Sequence, residues 1–165
     1  MTASSRILFI SGSVSAPTRT RTSPSVSRKL AWSSLCGPRI DPATIEAPPG
    51  VEVRGYVPRL YEHFAACDVA VVQGGGTTTL ELTALRRPFL YFPLEGHFEQ
   101  TVAVAGRLER HGAGERHEFS TTTAQALADA VVRQLERRPT WPSIPSDGAR
   151  RAAELILARL EHPSA

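Results

Sequence analysis

Nowhere among the 165 residues does an apolar run approach the ~20 positions a membrane-spanning helix needs. Cysteine is nearly absent: Cys36 and Cys67 show no metal-ligand spacing, which excludes a disulfide framework or a zinc module and reads as two reduced thiols. Acidic residues are missing from the first forty positions, which carry six basic ones, while the remainder holds 13 basic and 16 acidic residues. The net charge of +3 therefore sits in the leading segment, and with no basic helix or aromatic ladder a nucleic-acid partner is not expected. The N-terminal stretch "MTASSRILFISGS" has one arginine and a four-residue apolar run, too short for the core of a signal peptide, so a cytoplasmic location is expected.

What is present fits one α/β domain with a sizeable core, at 41% hydrophobic and 21% charged residues. Compact apolar runs alternate with amphipathic segments. "RILFIS" (6–11), "GVEVRGYV" (50–57), "DVAVV" (68–72), "PFLYFP" (88–93) and "ERHEF" (115–119) read as strands, and "LCGPRI" (35–40) as a further one ending at Gly37-Pro38. Helices are expected over 59–67, 78–87, 97–114 and 121–138, the last with a Thr122/Gln125 capping box. A final helix starts at Ser146 or Asp147, with Ala153, Ile156, Leu157 and Leu160 inward. Residues 14–34, dense in Ser, Thr, Arg and Pro without helical period, read as irregular or partly disordered. Central strands apolar on both faces imply a doubly wound, Rossmann-like parallel sheet whose ligands settle beyond the carboxyl ends of the strands.

The stretch "DVAVVQGGGTTTLE" (68–81) lies on that rim. A strand leading through Gln73, Gly74, Gly75 and Gly76 into Thr77 and Thr78 presents unpaired amides and the positive end of a helix dipole, an anion site suited to phosphate. The alternative is a tight turn, with Thr78 and Glu81 forming a capping box. A P-loop is excluded because no Gly-Lys-Ser/Thr follows, and a dinucleotide fingerprint fails because Thr79 falls at its third small position. Glu95, His97 and Glu99 alternate, but Gly96 between them marks a turn, and no metal is expected. His63, His111, His117 and His162 read as surface or helix-end residues; none is singled out as a catalytic base.

Gly55, Tyr56, Pro58, Asp68, Gly75, Glu81, Pro88, Pro93 and Gln100 fall in an order and spacing that resembles the carboxyl-terminal, donor-binding domain of two-domain (GT-B) glycosyltransferases. The likeness is to the family 28 type, which includes the N-acetylglucosaminyltransferase of peptidoglycan lipid II, and more distantly to the UDP-glucuronosyl and UDP-glucosyltransferases. It is good from about residue 50 to 114. The resemblance implies a UDP-sugar donor and transfer of a hexose. Val57 would offer backbone groups to the uracil. Gly75, Gly76, Thr77 and Thr78 would bind the diphosphate, with Ser13 on the opposite side and Gln73 and Gly74 also in the UDP-sugar site. Glu81 would accept hydrogen bonds from the ribose hydroxyls, and Glu99 and Gln100 would hold the sugar. Gln73 stands where relatives carry histidine or another basic residue; it can donate a hydrogen bond but brings no charge. No cofactor is implied, and no catalytic residue is assigned, because in that family the base and acceptor pocket lie on a separate domain. The expected partner is an acceptor-binding domain or subunit, through which the chain would reach a membrane surface, with homo-oligomerisation through the uncovered rim as a further expectation. Two alternatives stay open: a non-catalytic or truncated nucleotide-sugar-binding module, and a UDP-sugar 2-epimerase-like enzyme.

Overall fold

A computed structural model describes residues 5–11 and 30–161. Six strands, β1 (Ser5–Ser11), β2 (Leu30–Cys36), β3 (Val51–Arg54), β4 (Val69–Gln73), β5 (Phe89–Phe92) and β6 (Glu115–Arg116), form one sheet in the order β3-β2-β1-β4-β5-β6. Every pairing is parallel. The helices are α1 (Leu60–Ala66), α2 (Gly76–Ala84), α3 (Ala105–His111), α4 (Ala124–Glu136) and α5 (Gly148–Glu161). A π-helical turn, Glu99–Val104, leads into α3.

The sheet is covered on both faces, and the pleat sorts the side chains. From β4 and β5, Ala70, Val72, Phe89 and Tyr91 join Phe64, Leu82, Val104 and Leu108 on the side of α1–α3. Val71 and Leu90 point the other way, onto Ala130 and Val131 of α4. This two-sided burial explains why β4 is a continuous apolar run, with Val69, Ala70, Val71 and Val72 all buried. The edge strand β3 alternates instead, and Glu52 and Arg54 pair with each other at 2.8 Å on its exposed face.

Several expectations need correction. Strand β2 begins at Leu30, inside the stretch expected to be irregular, because pairing with β1 and β3 on both sides overrides the weak strand preference of Ser33 and Ser34. The helix expected over 97–114 is split by the π-helical turn, and Gly112, in the left-handed conformation at φ 63°, ends α3. Helix α4 is capped one residue later than expected: the Thr123 hydroxyl accepts from the Ala126 amide at 3.2 Å, while Thr122 donates to the Glu118 carbonyl and Gln125 to Asp129. Helix α5 forms, but none of its residues is buried, and Ile156, Leu157 and Leu160 are 57–72% exposed. Both sheet faces are already covered by the earlier helices, so the apolar stripe of α5 has nothing of the described residues to pack on.

Candidate functional site

Strands β1, β2 and β3 step outward in one direction; β4, β5 and β6 step outward in the other. The order reverses between β1 and β4, and the crevice beyond the carboxyl ends of that pair is where such sheets hold ligands. The glycine run leaves β4 at this point. Ser13, expected on the other wall, lies outside the described residues.

Each glycine has its own environment. Gly74 is buried, donates to the Phe92 carbonyl at 3.0 Å, and would place a Cβ 3.0 Å from the Pro93 Cα. It is the point where the exits of β4 and β5 touch. Gly75 has extended backbone (φ −65°, ψ 138°), and a Cβ there would meet nothing within 4 Å. Neither backbone strain nor packing excludes a side chain at Gly75; its bareness leaves the surface above the turn open. A Cβ on Gly76 would lie 3.1 Å from Glu99 Oε1, so the carboxylate of Glu99 sits over the first turn of α2.

Helix α2 starts at Gly76 with Gly75 as its N-cap and no side-chain cap. The Thr78/Glu81 capping box therefore does not form: the helix begins ahead of the threonines, which puts Thr78 at the third helical position. The amides of Gly76, Thr77 and Thr78 have no hydrogen-bond partner among the described residues. Thr77 is exposed and Thr78 half-buried. Glu81, one turn on from Thr77, is half-buried, and its carboxylate makes no hydrogen bond or ion pair among the described residues. A ready donor set thus stands where the chain leaves β4, with a carboxylate one turn behind it.

The third threonine behaves differently. Thr79 is fully buried, and its hydroxyl lies 2.9 Å from the Gly75 carbonyl and 3.2 Å from that of Gly76. Arg107 of α3 reaches under the turn, its Nη2 3.1 Å from both the Gly76 carbonyl and Thr79 Oγ1. Sequence reasoning missed this arginine, because an arginine beside Leu108 on a helix carries no local sign that it points at a loop 31 residues earlier.

The remaining candidates are divided. Val57 follows β3 and packs its side chain against the core, leaving only its backbone for a ligand. Gln73 is half-buried at the end of β4, and its carbonyl accepts from the Gly75 amide at 2.8 Å. Gln100 is buried, with Oε1 accepting from the Leu94 amide at 2.9 Å, so it braces the loop after β5 and has only its amide nitrogen left for a ligand. His117, read from sequence as a surface residue, is instead stacked on Phe92 with ring centroids 5.5 Å apart and bonded to Glu115 at 2.9 Å. A concavity of about 490 Å³ against α3 and β6 includes Tyr91, Glu109, Arg116 and Arg137 and no residue of the glycine run.

The model of the glycosyltransferase family 28 C-terminal domain matches residues 7–156. An uncharacterized glycosyltransferase of Methanosarcina mazei is 33% identical over 100 residues, 60% of this chain and 26% of that protein. The UDP-N-acetylglucosamine–N-acetylmuramyl-(pentapeptide) pyrophosphoryl-undecaprenol N-acetylglucosamine transferase of Mycolicibacterium vanbaalenii is 29% identical over 168 residues, covering 92% of this chain and 42% of that one. Among solved structures, MurG of Acinetobacter baumannii superposes with a TM-score of 0.66 at 17% identity, over 96% of this chain and 51% of that one; at that identity the likeness shows the fold. The chain spans about half or less of the length of these proteins.

Proposed function

The chain belongs to the glycosyltransferase family 28 C-terminal domain family, and from that premise we propose that it binds a UDP-sugar and presents it for transfer of a hexose to an acceptor held by another domain or subunit. The observation that carries this reading is the uncapped amide row of Gly76, Thr77 and Thr78 at the strand-order reversal, with Glu81 behind it. The amides and the positive end of α2 take the diphosphate. Glu81 takes the ribose hydroxyls, a task for a carboxylate because it accepts two O–H donors at charge-assisted strength. Backbone groups at Val57 meet the uracil, and Glu99 and the free amide of Gln100 meet the sugar.

In the transfer, an acceptor oxygen forms a bond to the anomeric carbon as the bond from that carbon to the β-phosphate oxygen breaks. The acceptor proton passes to a base on the partner, and the electron pair of the broken bond leaves with UDP. Charge grows on the diphosphate at that moment, and preorganised amides stabilise it without a metal. The exposed stripe of α5 supports the presence of a partner, since an apolar face of that kind is ordinarily covered.

Titration calorimetry with UDP and UDP-N-acetylglucosamine tests the reading. Binding is expected for the wild type and should weaken about tenfold or more in Glu81→Ala, the cost of a lost charged hydrogen bond. A folded protein that ignores both nucleotides would remove the donor assignment.

A further inference from the structure

We propose that Arg107 is a positioning residue that aims the amide row of α2 at the diphosphate; this rests on the donor reading above. The turn from Gln73 to Thr79 contains no basic side chain. Arg107, half-buried on α3, makes no ion pair among the described residues and spends its guanidinium on this turn.

A trans peptide points its carbonyl and the next residue's N–H in opposite directions. Fixing a carbonyl on the protein side therefore aims the following amide outward. The Gly75 carbonyl is held by the Thr79 amide at 3.1 Å and by the Thr79 hydroxyl at 2.9 Å, which aims the Gly76 N–H. The Gly76 carbonyl is held by Arg107 at 3.1 Å, which aims the Thr77 N–H. The same nitrogen of Arg107 donates to Thr79 Oγ1 at 3.1 Å. With that oxygen accepting from Arg107, the single hydroxyl proton is left for the Gly75 carbonyl at 2.9 Å or the Gly76 carbonyl at 3.2 Å. One guanidinium thus braces this turn directly and through Thr79. Glycine at positions 75 and 76 gives this first turn more backbone freedom than other residues would, so the added contacts reinforce what the helix bond from Thr79 to Gly75 begins.

The charge acts as well. A cation against the Gly76 carbonyl polarises the peptide it shares with Thr77 and strengthens that N–H as a donor. It also adds positive potential where the Glu99 carboxylate adds negative, 3.1 Å from the Cβ position of Gly76. A lysine keeps the charge on a side chain one bond shorter, so it restores the potential without reaching both oxygens.

The test compares UDP with uridine, which lacks phosphate, on wild type, Arg107→Met and Arg107→Lys, with thermal melts confirming that each variant is folded at the working temperature. UDP is followed by calorimetry at two salt concentrations and uridine by NMR titration. Arg107→Met should bind UDP about tenfold more weakly with a flatter salt dependence, uridine affinity unchanged, and Arg107→Lys should fall between. Unchanged UDP affinity in Arg107→Met, or equal loss of UDP and uridine, would overturn the positioning role while leaving the donor reading intact. A wild type that binds uridine and UDP equally well would overturn the positioning role and the phosphate cradle together, and one that binds neither would overturn the donor reading itself.

Discussion

A methyl group added at Gly74 lands 3.0 Å from the Cα of Pro93, whereas one added at Gly75 meets nothing within 4 Å. The two substitutions should therefore separate packing from ligand access. Gly74→Ala forces β4 and β5 apart at their exits and should cost about 1–3 kcal/mol, read as a lowered melting temperature. Gly75→Ala fits its extended backbone and should leave the melting temperature unchanged or slightly raised, by up to about 1 kcal/mol of stability. Its methyl group projects over the open turn, however, and UDP affinity should fall in calorimetry. A Gly75→Ala variant that binds UDP as the wild type does would place the diphosphate elsewhere. Cys67 offers a separate check on the core: burial pushes its thiol up to about 12, against a smaller lowering by Arg87. Alkylation of Cys67 at neutral pH should be slow until the chain is unfolded. At this scale the sequence was informative about the break between β4 and α2, which the glycine run marks. It was silent on Arg107 and on the inward turn of Gln100, because both depend on which loop lies opposite a helix.

Strand β6 has only two residues, yet its Glu115 is held by three donors: His117 at 2.9 Å, Arg133 at 2.8 Å and Gln134 at 2.7 Å. Burial alone would raise this carboxyl, but the hydrogen bonds from Gln134, Arg133 and His117 outweigh it and hold the group below its ordinary value. An acid depressed in the folded state stabilises the fold at pH above its unfolded value, about 4.3, and that contribution fades as pH falls through the folded one. Glu115→Gln should be less stable than wild type at pH 7 in urea titrations, and the gap should close in acid. Gly114, just before this strand, has φ 72° and would place a Cβ 2.5 Å from the Phe89 ring. Gly114→Ala should consequently cost more than Gly74→Ala in the same melts. Long apolar or strongly periodic elements such as β4 and α4 were legible from sequence. β2 was not, because its serine-rich start is a strand only through pairing on both sides. The π-helical turn at Glu99–Val104 was equally hidden, since an extra residue in a helix leaves the apolar pattern readable on either side. Deleting Ala103 should restore α-helical winding and swing Glu99 by about 100° away from α2. The fold should survive, and affinity for UDP-sugar relative to UDP should drop.

For the molecule as a whole, the parallel order and two-sided core followed from the alternation of elements, while the fate of α5 did not. An amphipathic helix announces that it has an apolar face but not what covers it. Since α5 buries none of its residues, removing 148–165 should shift the melting temperature by little. The intact chain should self-associate with rising concentration in sedimentation experiments, and Leu157→Glu with Leu160→Glu should suppress it. The sheet order also bears on how the molecule comes into being. β1 lies at the centre, with Leu30 paired to Ser5 on one flank and Val69 paired to Ile7 on the other. Once β1 has left the ribosome it must wait about 60 residues, on the order of 3–12 s at typical synthesis speeds, before its second neighbour exists. Through that interval an apolar ribbon stands with one bare flank, the geometry most inviting to stray pairing. A nascent chain of this design has reason to need a chaperone's shelter until Val69 has emerged.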